Sequence, residues 1–201
     1  MQEPTTTLRL SNHAPVLLVP GALSHDFCQS LTALFERPLP CFKSNGYTTD
    51  GFMRAEGDFK VEQDGEQGRL LQIVLRDPAY TRVLDRLLKQ HIEPRIQVAF
   101  QSRCNSREFW RLARYAAPGG FIGPHRDNNS PATHHRNFTL VINLNAGEYE
   151  GGELVFPEFG DMHYAPERGT AILWSAALLH EVRPVTQGVR YVAAVHLSRF
   201  A

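Results

Sequence analysis

The sequence predicts an α+β protein, a helical front portion packed on a β-rich half of the sandwich or jelly-roll type. Two observations carry that class. Up to about residue 95 two stretches repeat apolar residues at helical spacing; beyond it, short β-rich runs alternate with turn signals. A third observation puts chemistry in the β-rich half, where His125-Arg126-Asp127 is followed by His180 and then by Arg190. At 201 residues the chain suits one domain, or one domain with a helical extension.

Residues 1–13 read as a flexible tail, 14–103 as a helical support region, and 104–201 as the domain that carries the chemistry. Residues 16–19 (VLLV) form a short strand candidate ended by Pro20-Gly21. Ser24 or Asp26 can cap a helix on which Phe27, Leu31, Leu34 and Phe35 recur at helical spacing, and Pro38 and Pro40 stop it. Residues 41–69 are rich in glycine and charge and read as loop with short strands, either a lid over a functional face or a plain surface loop. Residues 70–75 are a strand candidate. Pro78 opens a second helix striped by Tyr80, Val83, Leu84, Leu87, Leu88 and Ile92, and Pro94 is expected to end it. Runs at 109–115, 138–144, 153–156, 169–174 and 190–197 then read as strands, punctuated by Pro118-Gly119-Gly120 and Gly151-Gly152. No internal repeat or low-complexity tract interrupts them.

Composition narrows the function classes. Lysine plus arginine equals aspartate plus glutamate, 21 against 21, so no global field draws the chain to nucleic acid or anionic lipid. No apolar run approaches a membrane span, and residues 1–12 lack the cationic-then-apolar order of a signal sequence. The expectation is a soluble, non-secreted, cytoplasmic protein. Cys28, Cys41 and Cys104 show no CxxC spacing, and their odd number suits free thiols in a reducing compartment.

Residues i and i+2 of a strand share a face, so His125 and Asp127 can grip one ion while Arg126 points away. His180 follows a strand at 170–174 and a bend at 175–179, and a return strand could bring it beside the pair. Two histidines and one carboxylate leave coordination positions open and suit non-haem Fe(II) that activates oxygen. The bland alternative is a surface ion pair with His180 packed in the core, since an HxD pair alone often arises by chance. Nine histidines make selection necessary. His91-Ile92-Glu93 has the same spacing on a predicted helix, where i and i+2 diverge. His13 and His25 have no carboxylate in register, and His134 and His135 fall in a polar loop. His163 is the rival to His180, but no arginine follows it at useful spacing on a clear strand.

Alternation puts Arg190, Val192, Ala194 and His196 on one strand face. An arginine heading a mostly apolar row is costly unless it meets an anion, so a carboxylate-bearing co-substrate is one reading and a strand-end arginine reaching solvent the other.

Over residues 104–200 the chain resembles the Fe(II)- and 2-oxoglutarate-dependent oxygenases, specifically their prolyl 4-hydroxylase-like branch. The residues that carry the resemblance are Tyr115, His125-Arg126-Asp127-Asn128, the run RNFTLVINLN at 136–145, Glu150-Gly151-Gly152-Glu153-Leu154, Phe156-Pro157 and residues 169–174. Trp174-Ser175, His180-Glu181-Val182-Arg183-Pro184 and Arg190-Tyr191 are similar to the hypoxia-factor prolyl hydroxylases in particular. The same half is also similar to oxygenase modules found beside redoxin domains in bacterial proteins.

The resemblance implies a double-stranded β-helix with His125, Asp127 and His180 as iron ligands and Arg190 holding the distal carboxylate of 2-oxoglutarate. Tyr115 matches a family tyrosine that lines the co-substrate pocket. Asn143 stands where several relatives carry a tyrosine that helps bind that carboxylate, and Thr139, on the same strand face, is expected to compensate. His196 is either a polar support or core filler. The implied cofactors are Fe(II), 2-oxoglutarate as co-substrate and O2, with ascorbate as a candidate reductant. The implied reaction is hydroxylation with release of succinate and CO2, on a protein or peptide in preference to a small molecule; the neutral charge argues against nucleic acid. Two other classes remain open: a non-catalytic metal-binding jelly-roll module, and a redox module partnering a thiol peroxidase through its cysteines.

Overall fold

The computed structural model describes residues 13–44 and 56–199. The expected tail up to residue 12 and residues 45–55 of the expected loop lie outside the described residues. Strand β1 (Leu17–Val19) leads to helix α1 (His25–Thr32), whose cap is Ser24: its side chain accepts from the Phe27 N–H at 3.3 Å. Asp26 instead occupies the first turn, where its charge complements the helix dipole. A single 3₁₀ turn, Ala33–Glu36, extends the helix and buries Leu34 and Phe35 before the chain becomes extended at Arg37.

The described part of residues 41–69 is mostly sheet. Strand β2 (Cys41–Ser44) pairs in parallel with β3 (Phe59–Gly65), and β3 forms a hairpin with β4 (Gly68–Leu75). Lys60, Glu62 and Asp64 alternate with Phe59 and Val61 along β3, which explains why a charge-rich stretch can still bury one face.

Asp77 caps helix α2 (Pro78–Leu87) by accepting from the Ala79 N–H at 2.8 Å. Pro94 does not end the helical run. A π turn at Leu88–Ile92 widens the coil, and Pro94 falls in the first turn of helix α3 (Glu93–Phe100), where a missing N–H costs no helical bond. No described helix is long and apolar enough to cross a membrane.

Ten further strands complete the sheet. They are β5 (Ser106–Arg107), β6 (Trp110–Ala116), β7 (Phe121–His125), β8 (Arg136–Asn143) and β9 (Tyr149–Gly151). After them come β10 (Leu154–Val155), β11 (His163–Tyr164), β12 (Ala171–Ser175), β13 (His180–Val182) and β14 (Val185–Ser198). The hydrogen-bonded order is β1-β12-β8-β14-β6-β4-β7-β13-β10-β11. Strand β4 joins the two wings: Leu71–Leu75 pair with β6, while Gly68 and Arg69 pair with β7. The curled sheet so formed is a double-stranded β-helix.

Alternation sorts the side chains. Leu112, Ala193, Val195 and Leu197 face outward into the main core beneath the helices, with Leu31, Leu84 and Ile96 opposite them. Tyr115, Ala113, Val192 and Leu70 face the concave side, where a second apolar cluster includes Val185 and Val182. Each fully buried Leu or Val contributes about 1.5–3 kcal/mol of transfer free energy, so the helices brace the wall from which the concave residues project.

Candidate metal centre and carboxylate site

The β7–β13 wing brings three side chains together. His125 ends β7 and is the cross-strand partner of His180 at the start of β13, with ring centroids 4.3 Å apart. Asp127 follows β7 by two residues; its Oδ1 lies 3.4 Å from His125 Nε2 and its Oδ2 3.5 Å from His180 Nε2. One donor atom from each residue falls within 4.8 Å of the other two, which is the spacing of a shared ion. Backbone carbonyls set the rings: Gly123 O contacts His125 Nδ1 at 2.9 Å and Leu178 O contacts His180 Nδ1 at 3.0 Å, leaving both Nε2 atoms aimed at the carboxylate.

Asp127 is held from several sides. Its N–H donates to Ala176 O at 3.0 Å, and Arg136 Nη1 donates to its carbonyl at 3.1 Å. The Thr139 hydroxyl donates to Oδ2 at 2.6 Å and also lies 3.2 Å from His196 Nδ1. Arg126 points away, as alternation requires. It pairs with Glu158 Oε1 at 2.6 Å and donates to the Ala177 carbonyl, so the bend before His180 is tied to the strand that carries His125.

Burial disfavours the Asp127 carboxylate, but the hydrogen bond with His125 and the nearby His180, His196 and His125 rings hold its carboxyl well below the usual range. Burial also acts on His125, yet the hydrogen bond and charge of Asp127 outweigh it and raise its pKa. Burial lowers His180, and it pushes His196 down to about 4, so His196 is a neutral ring at physiological pH. The concave pocket therefore offers one anionic and two imidazole donors, a set suited to a divalent first-row metal.

Arg190 lies at the far end of the concave face, 4 % exposed, with its guanidinium carbon 5.3 Å from the Tyr115 ring centroid. Among the described residues its Nε and Nη1 have no hydrogen-bond partner. Two orphaned N–H groups on a buried cation are a fork awaiting a carboxylate. Gly152 (φ +69°) lets the chain pass here: a Cβ on it would stand 2.9 Å from Arg190 Cδ. Burial raises the Tyr115 phenol, partly offset by Arg190, so Tyr115 stays neutral.

The sequence profile of the 2OG-Fe(II) oxygenase superfamily matches residues 110–198, the stretch from β6 through β14 that holds every one of these groups. Over that stretch the chain is similar to the 2OG-Fe(II) oxygenase superfamily. A PKHD-type hydroxylase of a Synechococcus strain is 36% identical over 82 residues, covering 37% of this chain and 36% of that protein. The chain thus spans little more than a third of the length of such curated relatives. A PKHD-type hydroxylase of Pseudomonas putida is 27% identical over 186 residues, or 89% of this chain and 76% of that one. Among solved structures, the viral collagen prolyl hydroxylase of Paramecium bursaria Chlorella virus-1, described as a 2OG complex, superposes with a TM-score of 0.66 at 20% identity, covering 94% of this chain and 98% of that one. The chain thus shares its fold with solved prolyl hydroxylases.

Two expected co-substrate residues are engaged elsewhere. Asn143 Nδ2 donates to Tyr149 Oη at 2.8 Å and to Pro166 O at 2.7 Å. Thr139 is bound to Asp127 because its strand register sets it opposite His196, four residues along β8 from Asn143. Neither side chain is free to meet the Arg190 fork. The residue that sequence reasoning missed is Tyr149, from β9. Its ring packs in the concave cluster with Tyr115 and Val185 and comes within 3.7 Å of the Cβ that Gly152 lacks, beside Arg190. Only the Asn143 substitution hinted at it. The cysteines stay apart from this site: Cys28 and Cys104 are buried, and burial raises both thiols, Cys104 to about 11, which keeps them protonated and unreactive.

Proposed function

We propose that this protein is an Fe(II)- and 2-oxoglutarate-dependent dioxygenase that hydroxylates its substrate and releases succinate and CO2. The observation that carries the proposal is the pairing, across one concave face, of a His-Asp-His cluster with a buried arginine whose N–H groups lack partners. His125, Asp127 and His180 would hold the iron. Iron, once bound with 2-oxoglutarate and O2, supplies the oxidising chemistry. The chain's own work is positional. Arg190 binds the distal carboxylate, Tyr115 backs the guanidinium, and Tyr149, steered by Asn143, offers a phenol to the same carboxylate. Val185, Val192 and Leu70 keep this end of the pocket dry, which strengthens the ion pair. Thr139, Arg136 and Arg126 keep Asp127 and the His180 bend in register.

A peptide is the favoured substrate class, supported by the fold shared with a viral collagen prolyl hydroxylase. Ascorbate enters as the expected external reductant. A reducing, cytoplasmic setting suits both the iron and the free thiols.

The test needs no substrate. Fe(II) and 2-oxoglutarate are added anaerobically to metal-free protein, and the weak visible charge-transfer band of the chelate is sought. The band should form in the wild type and vanish in His180→Ala. Folded wild-type protein without a band would favour a non-catalytic binding module.

A further inference from the structure

The concave face carries a second guanidinium that the co-substrate site does not use. Arg111 shares its face of β6 with Ala113 and Tyr115 and is the cross-strand neighbour of Ala194 on β14 and Val74 on β4. Ala194 is one inward position from His196, whose ring meets the Thr139 hydroxyl that holds Asp127. Arg190 and Tyr115 are paired at the opposite end of the same strands. Arg111 therefore lies on the metal side of the face, beyond the reach of the Arg190 carboxylate fork.

No carboxylate among the described residues bonds it directly. Arg111 Nη1 donates to a neutral amide, Gln72 Oε1, at 3.0 Å. The neighbouring carboxylate, Glu108, is taken at both oxygens by Arg136, at 2.5 and 2.8 Å, and is also 3.3 Å from His135. Among the described residues Arg111 makes no ion pair. Two guanidiniums thus share one carboxylate beside the metal cluster, and the small side chains of Ala113 and Ala194 flank the one left over. Burial, together with the Arg136 charge, pushes Arg111 below its usual range despite Glu108, as for a cation in need of an anion.

We propose that Arg111, oriented by Gln72, recognises a carboxylate on the primary substrate. The substrate class is then acidic: a free amino acid offering its α-carboxylate, or a peptide offering an Asp or Glu side chain or its C-terminus near the hydroxylated residue. Planar bidentate pairing is the strength of arginine at such a site, and a neutral substrate would leave the half-buried guanidinium with an amide partner and no paired carboxylate. The proposal rests on the oxygenase reading above.

The experiment uses the anaerobic Fe(II)–2-oxoglutarate protein and a panel of probes in matched pairs: amino acids against their amides, and proline-containing peptides with Glu or Asp against the same peptides with Gln or Asn. Perturbation of the chelate band and stimulated succinate release are both read. At least one carboxylate probe should outperform its amide by ~10-fold or more, and which arm does so identifies the source as amino acid or peptide. In Arg111→Gln that preference should disappear, and Arg111→Lys should restore part of it. The affinity for 2-oxoglutarate itself, read from the band, should stay within about twofold in both variants, which also reports that they fold. A panel in which no carboxylate probe beats its amide overturns the proposal, as does an Arg111→Gln protein that loses 2-oxoglutarate instead. Failure of the band in wild type would defeat the oxygenase reading, a distinguishable outcome.

Discussion

Replacing Thr139 by valine removes one hydroxyl at the heart of the candidate metal cluster, which bonds Asp127 and also lies 3.2 Å from His196 Nδ1. The side chains are nearly isosteric, so packing between β8 and β14 is preserved while the 2.6 Å donation to Asp127 Oδ2 is lost. Asp127 is 9 % exposed, so water cannot readily replace that donor. A hydrogen bond to a charged group contributes about 1.5–3 kcal/mol, equivalent to ~10- to 150-fold in an equilibrium constant. Outer partners of metal ligands generally tune metal affinity by ~10- to 100-fold. The two estimates agree, and the expected result is a divalent-metal affinity weakened by at least ~10-fold. Titration with Mn(II), followed by its own paramagnetic signal, measures the change, and thermal denaturation of the metal-free protein checks that folding survives. An affinity within about twofold of wild type would refute the idea that Thr139 orients the carboxylate.

Other perturbations test separate links. Arg190→Met removes a buried cation with two unpartnered nitrogens, so the protein alone should melt no lower than wild type while its stabilisation by 2-oxoglutarate is lost; a lower melting point with retained ligand stabilisation would contradict the assignment. Metal affinity should fall with pH from neutral towards mildly acidic, by up to about tenfold per unit, because the ion must displace a proton from His125, whose pKa is raised, whereas burial lowers that of His180 and makes its ring the easier of the two to deprotonate. Mn(II) titrations across that range should detect the slope, and a flat profile counts against His125 as a ligand. Leu31→Ala, at a fully buried contact of α1 with the sheet, should cost about 2–5 kcal/mol in denaturant unfolding; a loss below about 1 kcal/mol would mean that the helix layer braces the sheet less than its burial implies.

The elements most legible in the sequence are those whose signal is local. His125 and Asp127 share a face by strand alternation, and the Arg190 row reads from seven consecutive residues. The Ser24 cap, the α2 stripe and the Pro78 start are likewise written within a turn or two. Register between distant strands is not local. Thr139 binds Asp127, and Asn143 binds Tyr149, because of pairings fixed across β8, β14 and β9, and nothing within five residues of either reveals this. Arg111 was hidden for the same reason: its isolation depends on Glu108 being occupied by Arg136 from another strand. Residues 59–65 look like loop because their charges outnumber their apolar residues, and only the hairpin with β4 gives the alternation meaning. Pro94 misleads because a π turn, which has no clear sequence signature here, resets the helix just before it.

Strand β4 clasps both wings of the sheet, bonded to β6 by one end and to β7 by the other. The wing with His125 and His180, the proposed ligands, is therefore sewn to the Arg190-bearing wing by a segment that precedes both in the chain. Opening one wing unzips the ladder that registers the other, so the metal end and the carboxylate end should protect their amides from exchange as a single unit. A fragment starting at residue 104 would keep every proposed ligand and lose the seam that holds them at working distance.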